Sequence, residues 1–443
     1  GGASRRMSDI TSKALYNNSK YAFRNVIGTL DVIDHFDPEL VRQFYKDFYR
    51  PDLQAVIVVG DIDEAVIKSK IEKLFGADPK RVNPKVTPNI IVPDNKELMI
   101  GSATDKEAQN IEISLYFKYP DPVKKDLDFV KENMLKSLYN SMFSERFSEI
   151  LQKENPPMRS AYSGFGGFTK HQSTYRISIG ALNNDPLRSV KAVMIENERV
   201  KRYGFTTTEL QRAVKRTLIN YEKAYAERDK NFSSSFVYSY ISHFSEEQPT
   251  PGIAYMNELA KSYLPAITIE QINALAKQYM TDENRVVIIH GPEKEGLKLP
   301  AEQEIRDILS EVQKMNIEPY KDKEIAAKLI SKELKGSPVV KEEKVKDFDG
   351  TRFILKNGAK VYFKATDNKA DEVMLQAFSN GGSSLVATED VPSGGLASAV
   401  TAFCGLGDFS SQDLKKYLAG KVANVNTGLS ELEEMVSGSS NVA

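Results

Sequence analysis

Two distant parts of the chain share nearly the same pattern of hydrophobic and polar positions. In residues 37–60, apolar side chains recur three and four positions apart after Asp37, a typical helix-capping residue. An apolar run, AVIVV, follows, so this segment predicts a helix and then a buried strand. Residues 268–291 repeat the order, with Gly60 and Gly291 at equivalent places. The repeat predicts a duplicated domain of about 230 residues, with chance similarity as the alternative.

The stretches around these repeats predict the remaining elements. Residues 77–96 hold four prolines and residues 333–349 are charged and polar, so we expect two linkers. Asn357-Gly358 between two alternating stretches predicts a hairpin. GFGGF at 164–168 fits no nucleotide-binding pattern and is expected to form a flexible turn. Further predictions are a helix ending at Gly76, a long helix at 123–153, helices over 186–280, and strands at 110–119, 173–182 and 285–291.

Composition and charge narrow the possible partners. A chain of 443 residues exceeds what one hydrophobic core usually supports, so we expect several domains. The 60 basic and 61 acidic side chains nearly cancel, which argues against nucleic acid and anionic membranes as partners. No apolar run reaches the ~18 residues of a membrane helix, so no membrane insertion is expected. Cys404, in an apolar context, is predicted to be a buried, unreactive thiol.

Four stretches, in a particular order along the chain, carry a resemblance to a known family. They are YAFRNVIGTLDVIDHFDPELVRQFYKDFYRPDLQAVIVVGDID (21–63), SERFSEILQKE (144–154), YGFTTTELQRAVKRTLINYEKAY (203–225) and FILKNGAKVYFKATDNKADEVMLQAFSNGGSSL (353–385). Together they resemble the insulinase-like, or pitrilysin-like, zinc metallopeptidases of the M16 family. The resemblance implies an α+β fold of repeated domains, each an antiparallel-rich sheet with helices packed on it.

The resemblance also implies an order of domains. Large members of the family join four domains into two half-shells that enclose a chamber for peptides. Residues 1–78 would be the C-terminal part of domain 1, and 79–332 would be domain 2, with 77–96 as its entry linker. Residues 333–349 would link the two halves, and 350–443 would be the N-terminal part of a degenerate domain 3. From this order we expect the chain to be a central fragment of a four-domain member. Its opening, GGASRRMSDI, lacks the apolar core of a signal peptide.

The zinc-binding motif of the family, a helical His-x-x-Glu-His, does not occur in this sequence. In that motif two histidines bind zinc from one helix face, and the glutamate activates a metal-bound water. His35, His171, His243 and His290 have no histidine partner at that spacing. We expect His290 to cap a sheet edge and the others to be solvated. The resemblance places the parent protein's zinc ligands upstream, so no catalytic and no metal-binding residue is expected here.

A degenerate copy of the motif is implied within SGGLASAVTAF. Aligned on its Gly-Leu-Ala, Ser398 and Ala402 stand where the family has the two histidines, and Thr401 replaces the glutamate. These side chains cannot form a zinc site, and we expect a small-residue helix packed in a core. Family members also hold substrate backbone with an arginine–tyrosine pair. Arg159 and Tyr162 lie near that place without its spacing, so their roles stay open.

The first functional hypothesis is the non-catalytic central portion of a zinc-dependent M16 peptidase that hydrolyses peptides in a closed chamber. The chain by itself is expected to be inactive. Its expected partners are peptide substrates and the missing N- and C-terminal domains of the same protein. The periplasm or cell envelope of a bacterium is the expected location. Alternatives are a non-catalytic M16-like scaffold or partner subunit, and an unrelated binding module.

Overall fold

The computed structural model describes residues 2–77, 79–122 and 124–442, and these divide into two units. Unit one contains the described residues up to Ala213, together with Phe232–Pro251 and Ser262–Asp322. Unit two contains Val214–Asn231, Gly252–Lys261 and the described residues from Lys323 onward. The expected domain ends at positions 1, 78 and 443 lie outside the described residues.

Helices and strands are both well represented. The helices are α1 (Ala3–Leu15), α2 (Lys20–Phe23), α3 (Leu30–His35), α4 (Pro38–Phe48), α5 (Glu64–Phe75), α6 (Leu127–Leu151), α7 (Pro186–Tyr203), α8 (Thr207–Ala226), α9 (Ser234–Glu246), α10 (Gly252–Tyr263), α11 (Ile269–Tyr279), α12 (Glu302–Lys314), α13 (Val391–Cys404) and α14 (Ser411–Tyr417). The strands are β1 (Met99–Asp105), β2 (Glu112–Pro120), β3 (Ser160–Thr169), β4 (Gln172–Gly180), β5 (Arg285–Pro292), β6 (Val339–Val345), β7 (Gly350–Leu355), β8 (Lys360–Phe363), β9 (Val373–Asn380), β10 (Ala423–Leu429) and β11 (Glu433–Ser440).

Capping residues place helices α4 and α5 where the sequence predicts them. The Asp37 carboxylate accepts a hydrogen bond from the Glu39 backbone N–H at 2.9 Å and so caps α4. The Asp63 carboxylate accepts from the Val66 N–H at 3.0 Å at the start of α5, which ends beside Gly76. These contacts satisfy N–H groups that the first helical turn leaves free. Because they are local, the bounds of both helices can be read from the sequence.

A five-stranded sheet in the order β1-β5-β2-β4-β3 forms the centre of unit one. β1 and β5 are parallel, and the other neighbours are antiparallel. Helix α6 packs on β3, and α1 packs on β1 and β5. The buried apolar residues of this layered core include Leu115, Tyr139, Phe143, Tyr175, Ile177, Val193 and Val286. The β3 strand is left at one outer edge of the sheet.

Arg146, a buried residue of α6, connects this helix to its neighbours α7 and α8. Its guanidinium donates to Glu196 at 3.0 Å, to Glu209 at 2.7 and 2.9 Å, and to the Gly204 carbonyl at 3.1 Å. It also lies 4.7 Å from the centre of the Phe205 ring. The partners offset the cost of burying the charges, so this cluster fixes the position of α6.

The first repeat does not form the strand that its sequence predicts. Residues 54–60 pair with no strand in the described part of the chain, and Val56 and Val58 are 48% and 44% exposed. The equivalent strand β5 is buried because β1 and β2 flank it on both sides. A strand needs neighbours to bond its N–H and C=O groups. The prediction of a buried strand at 54–60 is therefore wrong for the described chain.

The helices of the two repeats also differ in how much of their apolar face is buried. Both bounds of α11 follow those of α4 at the predicted repeat distance. α11 buries Ile272 and Leu275, whereas α4 leaves Leu40 and Phe44 67% and 56% exposed. The repeat thus holds for the helix, but its apolar face is covered in the second copy alone.

The proline-rich stretch 77–96 contains no helix or strand at its described positions, but it is anchored to unit one. The Val92 N–H donates to the Gln172 side chain at 2.8 Å, and the Val92 carbonyl accepts from it at 2.9 Å. The Lys118 ammonium donates to the Pro93 carbonyl at 3.1 Å, and burial lowers the pKa of Lys118 to about 8. We call residues 79–96 the strap, an extended segment that these hydrogen bonds hold against unit one.

In its described part, unit two contains the antiparallel sheets β6-β7-β8 and β10-β11-β9. β7 and β8 form the predicted hairpin, in which Gly358 adopts a φ of +90°. The prediction of a linker over 333–349 is wrong in part, because residues 339–345 form strand β6. Arg352 of β7 donates to Glu343 of β6 at 2.8 Å, and such cross-strand charge pairs let a charged stretch join a sheet.

Candidate functional site

A cavity of about 580 Å³ lies in unit one where the edge strand β3 meets helix α6. The β3–β4 hairpin and the residues that follow β2 and α9 complete its walls. The residues from α6 lie mostly three or four positions apart and therefore share one helix face. They are Phe129, Asn133, Lys136, Ser137 and Asn140. The cavity is thus a cleft between one face of a long helix and the edge of a sheet.

The cleft is lined by aromatic rings, amides, hydroxyls and charges of both signs. Its charged residues are Asp121, Lys125, Lys136, Lys170 and Glu246. The Lys125 ammonium donates to the Glu246 carbonyl at 2.7 Å, and the Ser173 hydroxyl donates to the Asp121 carboxylate. A lining of this mixed kind provides donors and acceptors for a polar, uncharged ligand with apolar side groups, such as a peptide backbone.

Strand β3 presents an unpaired edge to this cleft. Because it is the last strand of the sheet, one row of its N–H and C=O groups points away from β4. Gly166 and Gly167 are exposed, and both line the cavity. The space beside them is open to another extended chain, which could form main-chain hydrogen bonds with β3.

Lys136 is held in the cleft wall by aromatic rings and a carboxylate. Its ammonium nitrogen lies 5.0, 5.5 and 4.9 Å from the ring centres of Tyr119, Phe165 and Tyr279. It also lies 2.9 Å from a Glu132 oxygen, which accepts from the Tyr279 hydroxyl at 2.6 Å. Burial, together with this carboxylate, raises the pKa of Tyr279. Cation–π and ionic contacts therefore fix Lys136 as part of the wall.

The described residues contain no group of three or more His, Cys, Asp or Glu side chains that could hold a metal ion. His35, His171 and His243 are exposed, as the sequence predicts. His290 lies half-buried in β5, with its Nε2 atom 3.0 Å from the Thr11 hydroxyl, and burial lowers its pKa. The prediction that it caps a sheet edge is wrong, because β5 has a strand on either side.

The positions of the degenerate motif, Ser398, Thr401 and Ala402, lie on helix α13 of unit two. The Thr401 hydroxyl donates to the Ser398 carbonyl at 2.9 Å and lies 2.6 Å from the Thr427 hydroxyl. Hydroxyl and methyl groups of this kind do not fit a zinc site. No residue of α13 is buried, Ser398 is only partly covered, and Cys404 is exposed, so the predictions of a core helix and a buried thiol are wrong.

Arg159 and Tyr162 have different surroundings. Arg159 donates to the Ala181 carbonyl at 2.9 Å and to Glu112 at 2.7 Å, and so it connects strand ends of the sheet. The Tyr162 hydroxyl donates to the Phe165 carbonyl at 3.4 Å, on the edge strand. Tyr162 therefore lies at the candidate site, and Arg159 has a structural role.

The sequence contained one signal for this cleft, in GFGGF at 164–168. The prediction of a flexible turn there is wrong, because these residues belong to β3. Glycine inside a strand often marks a place where another group approaches closely. Here the approaching group is Asn140, since a Cβ at Gly164 would lie 2.3 Å from its Oδ1 atom. The roles of Asn140 and Lys136 depend on the packing of α6 against β3, which the local pattern does not encode.

Comparisons with known proteins identify the family. A family model described as "Peptidase M16 inactive domain" matches residues 35–217. A zinc protease PQQL-like of Arabidopsis thaliana is 24% identical over 422 residues, which cover 94% of this chain and 41% of that protein. The probable zinc protease PqqL of Escherichia coli is 24% identical over 458 residues, covering 96% and 46%. These matches support an M16 peptidase family member.

Solved structures agree with the fold of this M16 chain. The crystal structure of the periplasmic protease PqqL from Escherichia coli has a TM-score of 0.67 at 19% identity, covering 99% of this chain and 49% of that one. The crystal structure of pitrilysin has a TM-score of 0.52 at 10% identity, covering 99% and 46%. The predicted α+β fold of antiparallel-rich sheets and packed helices is confirmed. The chain spans less than half the length of the PqqL relatives.

Proposed function

We propose that this M16 chain is the non-catalytic central portion of a zinc-dependent peptidase and that it holds extended peptides along the β3 edge. The observation that carries the proposal is an edge strand, open at Gly166 and Gly167, beside a cavity of about 580 Å³. A peptide that adds to such an edge gains main-chain hydrogen bonds that depend little on its sequence. This mode of binding suits a domain that holds substrates and does not cleave them.

The zinc chemistry belongs, in this proposal, to a domain of the parent protein whose ligands lie upstream. Ser398, Thr401 and Ala402 do not fit a zinc site, so no step of hydrolysis is assigned to this chain. Two relatives carry the name of zinc proteases, which supports zinc in the parent. The isolated chain is then inactive and contributes a wall of the closed chamber.

The exposed apolar surfaces support further domains in the parent. Leu40, Phe44 and Val56 are exposed in the first repeat, and Phe403 is 73% exposed in α13. The PqqL-like relatives are more than twice as long as this chain, so they have further residues that could cover such faces. We therefore propose that residues 1–78, 79–332 and 350–443 belong to successive domains, with strand β6 added to the last of them and the missing domains as partners.

Two relatives suggest the kind of substrate and the location. The ferredoxin protease FusC, solved in complex with Arabidopsis ferredoxin, resembles this chain with a TM-score of 0.63 at 18% identity. PqqL is described as a periplasmic protease. We propose extended segments of peptides or proteins as ligands and a bacterial periplasm or cell envelope as the location. Among the described residues, no helix has the length and apolar character needed to cross a bilayer.

Fluorescence anisotropy with a labelled peptide of alternating threonine and valine tests the proposal. We expect saturable binding without cleavage, unchanged by added zinc or by a chelator. Gly167→Pro removes an N–H group that points away from β4, so this variant should bind several-fold more weakly while circular dichroism stays unchanged. Chelator-sensitive hydrolysis by the chain would contradict the proposal. Equal binding by both forms would place the peptide elsewhere.

A further inference from the structure

The β3 edge is already occupied at one residue by a side chain of α6. The Phe165 N–H donates to the Asn140 Oδ1 atom at 2.8 Å, and the Asn140 Nδ2 atom donates to the Phe165 carbonyl at 3.2 Å. A carboxamide carries one acceptor and one donor, as a peptide unit does. Asn140 therefore makes at Phe165 the pair of hydrogen bonds that a neighbouring strand would make.

The adjacent residue must be glycine for this contact to exist. A Cβ atom at Gly164 would lie 2.3 Å from the Asn140 Oδ1 atom and 2.6 Å from the Tyr162 hydroxyl oxygen. The Tyr162 hydroxyl also donates to the Phe165 carbonyl. Any side chain at position 164 would thus push the amide away from the edge. The glycine and the asparagine form one arrangement that closes the middle of the edge.

On one side of this contact the edge is exposed, at Gly166 and Gly167, whereas Ser163 on the other side is buried. N–H and C=O groups alternate in direction along a strand, so Ser163 and Gly167 point theirs to the same side as Phe165. A Cβ atom at Gly167 would meet nothing within 4 Å. A peptide could therefore pair with the end of β3, but it could not continue past Phe165 while Asn140 stays in place.

We propose that Asn140 is a displaceable cap on the β3 edge, which an extended peptide must replace in order to pair with Phe165 as well as with Gly167. The inference rests on the proposed function and adds to it a residue that regulates the same site. The peptide exchanges two hydrogen bonds for two equivalent ones, so the cap lowers affinity without abolishing binding. In the absence of peptide it also blocks the edge-to-edge pairing to which open edges are prone.

The test compares two independent ways of removing the cap. Asn140→Ala deletes the amide, and Gly164→Ala displaces it while Asn140 remains. Binding of the fluorescein-labelled threonine–valine peptide should be about three- to tenfold tighter in both variants, as expected for removing a competitor that makes two hydrogen bonds. Ser144→Ala is the matched control on α6, because this exposed hydroxyl donates to the Asn140 backbone carbonyl at 2.9 Å and leaves β3 untouched. It should bind as the unmodified chain does.

A second readout follows the Phe165 amide itself. In chain labelled with ¹⁵N-phenylalanine, hydrogen exchange at Phe165 should be slow in the unmodified chain, fast in Asn140→Ala, and slow again when peptide is added. Asn140→Asp keeps the acceptor for the Phe165 N–H but loses the donor to its carbonyl. Asn140→Asp should therefore bind the peptide with an affinity between those of the unmodified chain and Asn140→Ala. If the alanine variants unfold, this variant tests the cap in their place.

The outcomes separate the two proposals. If the unmodified chain binds peptide at β3 but no cap variant binds it more tightly, the cap is refuted and the proposed function stands. If neither the unmodified chain nor any folded variant binds peptide, the proposed function fails and the cap fails with it. Tighter binding in both alanine variants, with the control unchanged, supports the cap.

Discussion

Arg146 is a residue whose role becomes clear only when its neighbours are known. Nothing in the local pattern distinguishes it from other arginines of a predicted helix. In the fold it is buried and paired with Glu196 and Glu209, which come from two other helices. The sequence could not show this pairing, because the three residues lie far apart along the chain.

Arg146→Ala should lower the free energy of unfolding by about 3–5 kcal/mol, because it leaves the buried Glu209 carboxylate without its cationic partner and Glu196 with Arg199 alone. Urea unfolding followed by circular dichroism measures this change. Arg159→Ala is the matched control, since the Arg159–Glu112 pair is partly exposed and should contribute less than about 1 kcal/mol. Similar losses in the two variants would contradict this account of the buried cluster.

His290 should make stability depend on pH. Burial lowers its pKa below the value of about 6.5 that an unfolded chain would show, so protonation favours unfolding. The contribution of the neutral ring to stability is complete above that pH and decreases as the pH falls below it. His290→Gln keeps a polar group near Thr11 and removes the titration. Between about pH 7.5 and about pH 5.5, the original chain should lose more unfolding free energy than the variant. An equal loss of unfolding free energy in the original chain and in His290→Gln would contradict this role of His290.

At the scale of whole elements, the sequence predicts what is decided locally. The bounds of α4 and α5 follow from caps only a few residues away, and the hairpin follows from Asn357-Gly358. A strand needs neighbouring strands that come from distant parts of the chain, and the local sequence pattern does not predict them. Residues 54–60 have the pattern of a strand without a neighbour, whereas β6 joins a sheet despite its charges.

The strap over residues 79–96 gives a prediction at this scale. Both bonds from Gln172 to Val92 are buried, so Gln172→Ala leaves the Val92 N–H and carbonyl without their partners. We expect a loss of about 1–3 kcal/mol in unfolding free energy and several-fold faster proteolysis within the strap. Gln109→Ala is the control, because this exposed amide donates to the nearby Glu107 carbonyl. Unchanged proteolysis in Gln172→Ala would show that other contacts hold the strap.

For the whole molecule, the order of recognisable segments was enough to predict the M16 family and its α+β fold, and both are confirmed. The candidate site was not predictable in the same way. The cleft exists because α6 lies along an edge strand whose glycines admit an asparagine and leave open space beside it. These are properties of packing between elements. The sequence motif that marks the family's active site, His-x-x-Glu-His, concerns zinc binding and gives no information about this cleft.

The most direct test of the central claim, that this chain holds extended peptides at β3 without cleaving them, is a nuclear magnetic resonance titration of chain labelled with ¹⁵N-glycine. On addition of the threonine–valine peptide, we predict that the amide signals of Gly166 and Gly167 shift and that hydrogen exchange slows at Gly167, whose N–H points away from β4. Gly358, in the hairpin of unit two, should be unaffected, and mass spectrometry should recover the peptide intact. Unchanged signals at both β3 glycines at saturating peptide would contradict the account.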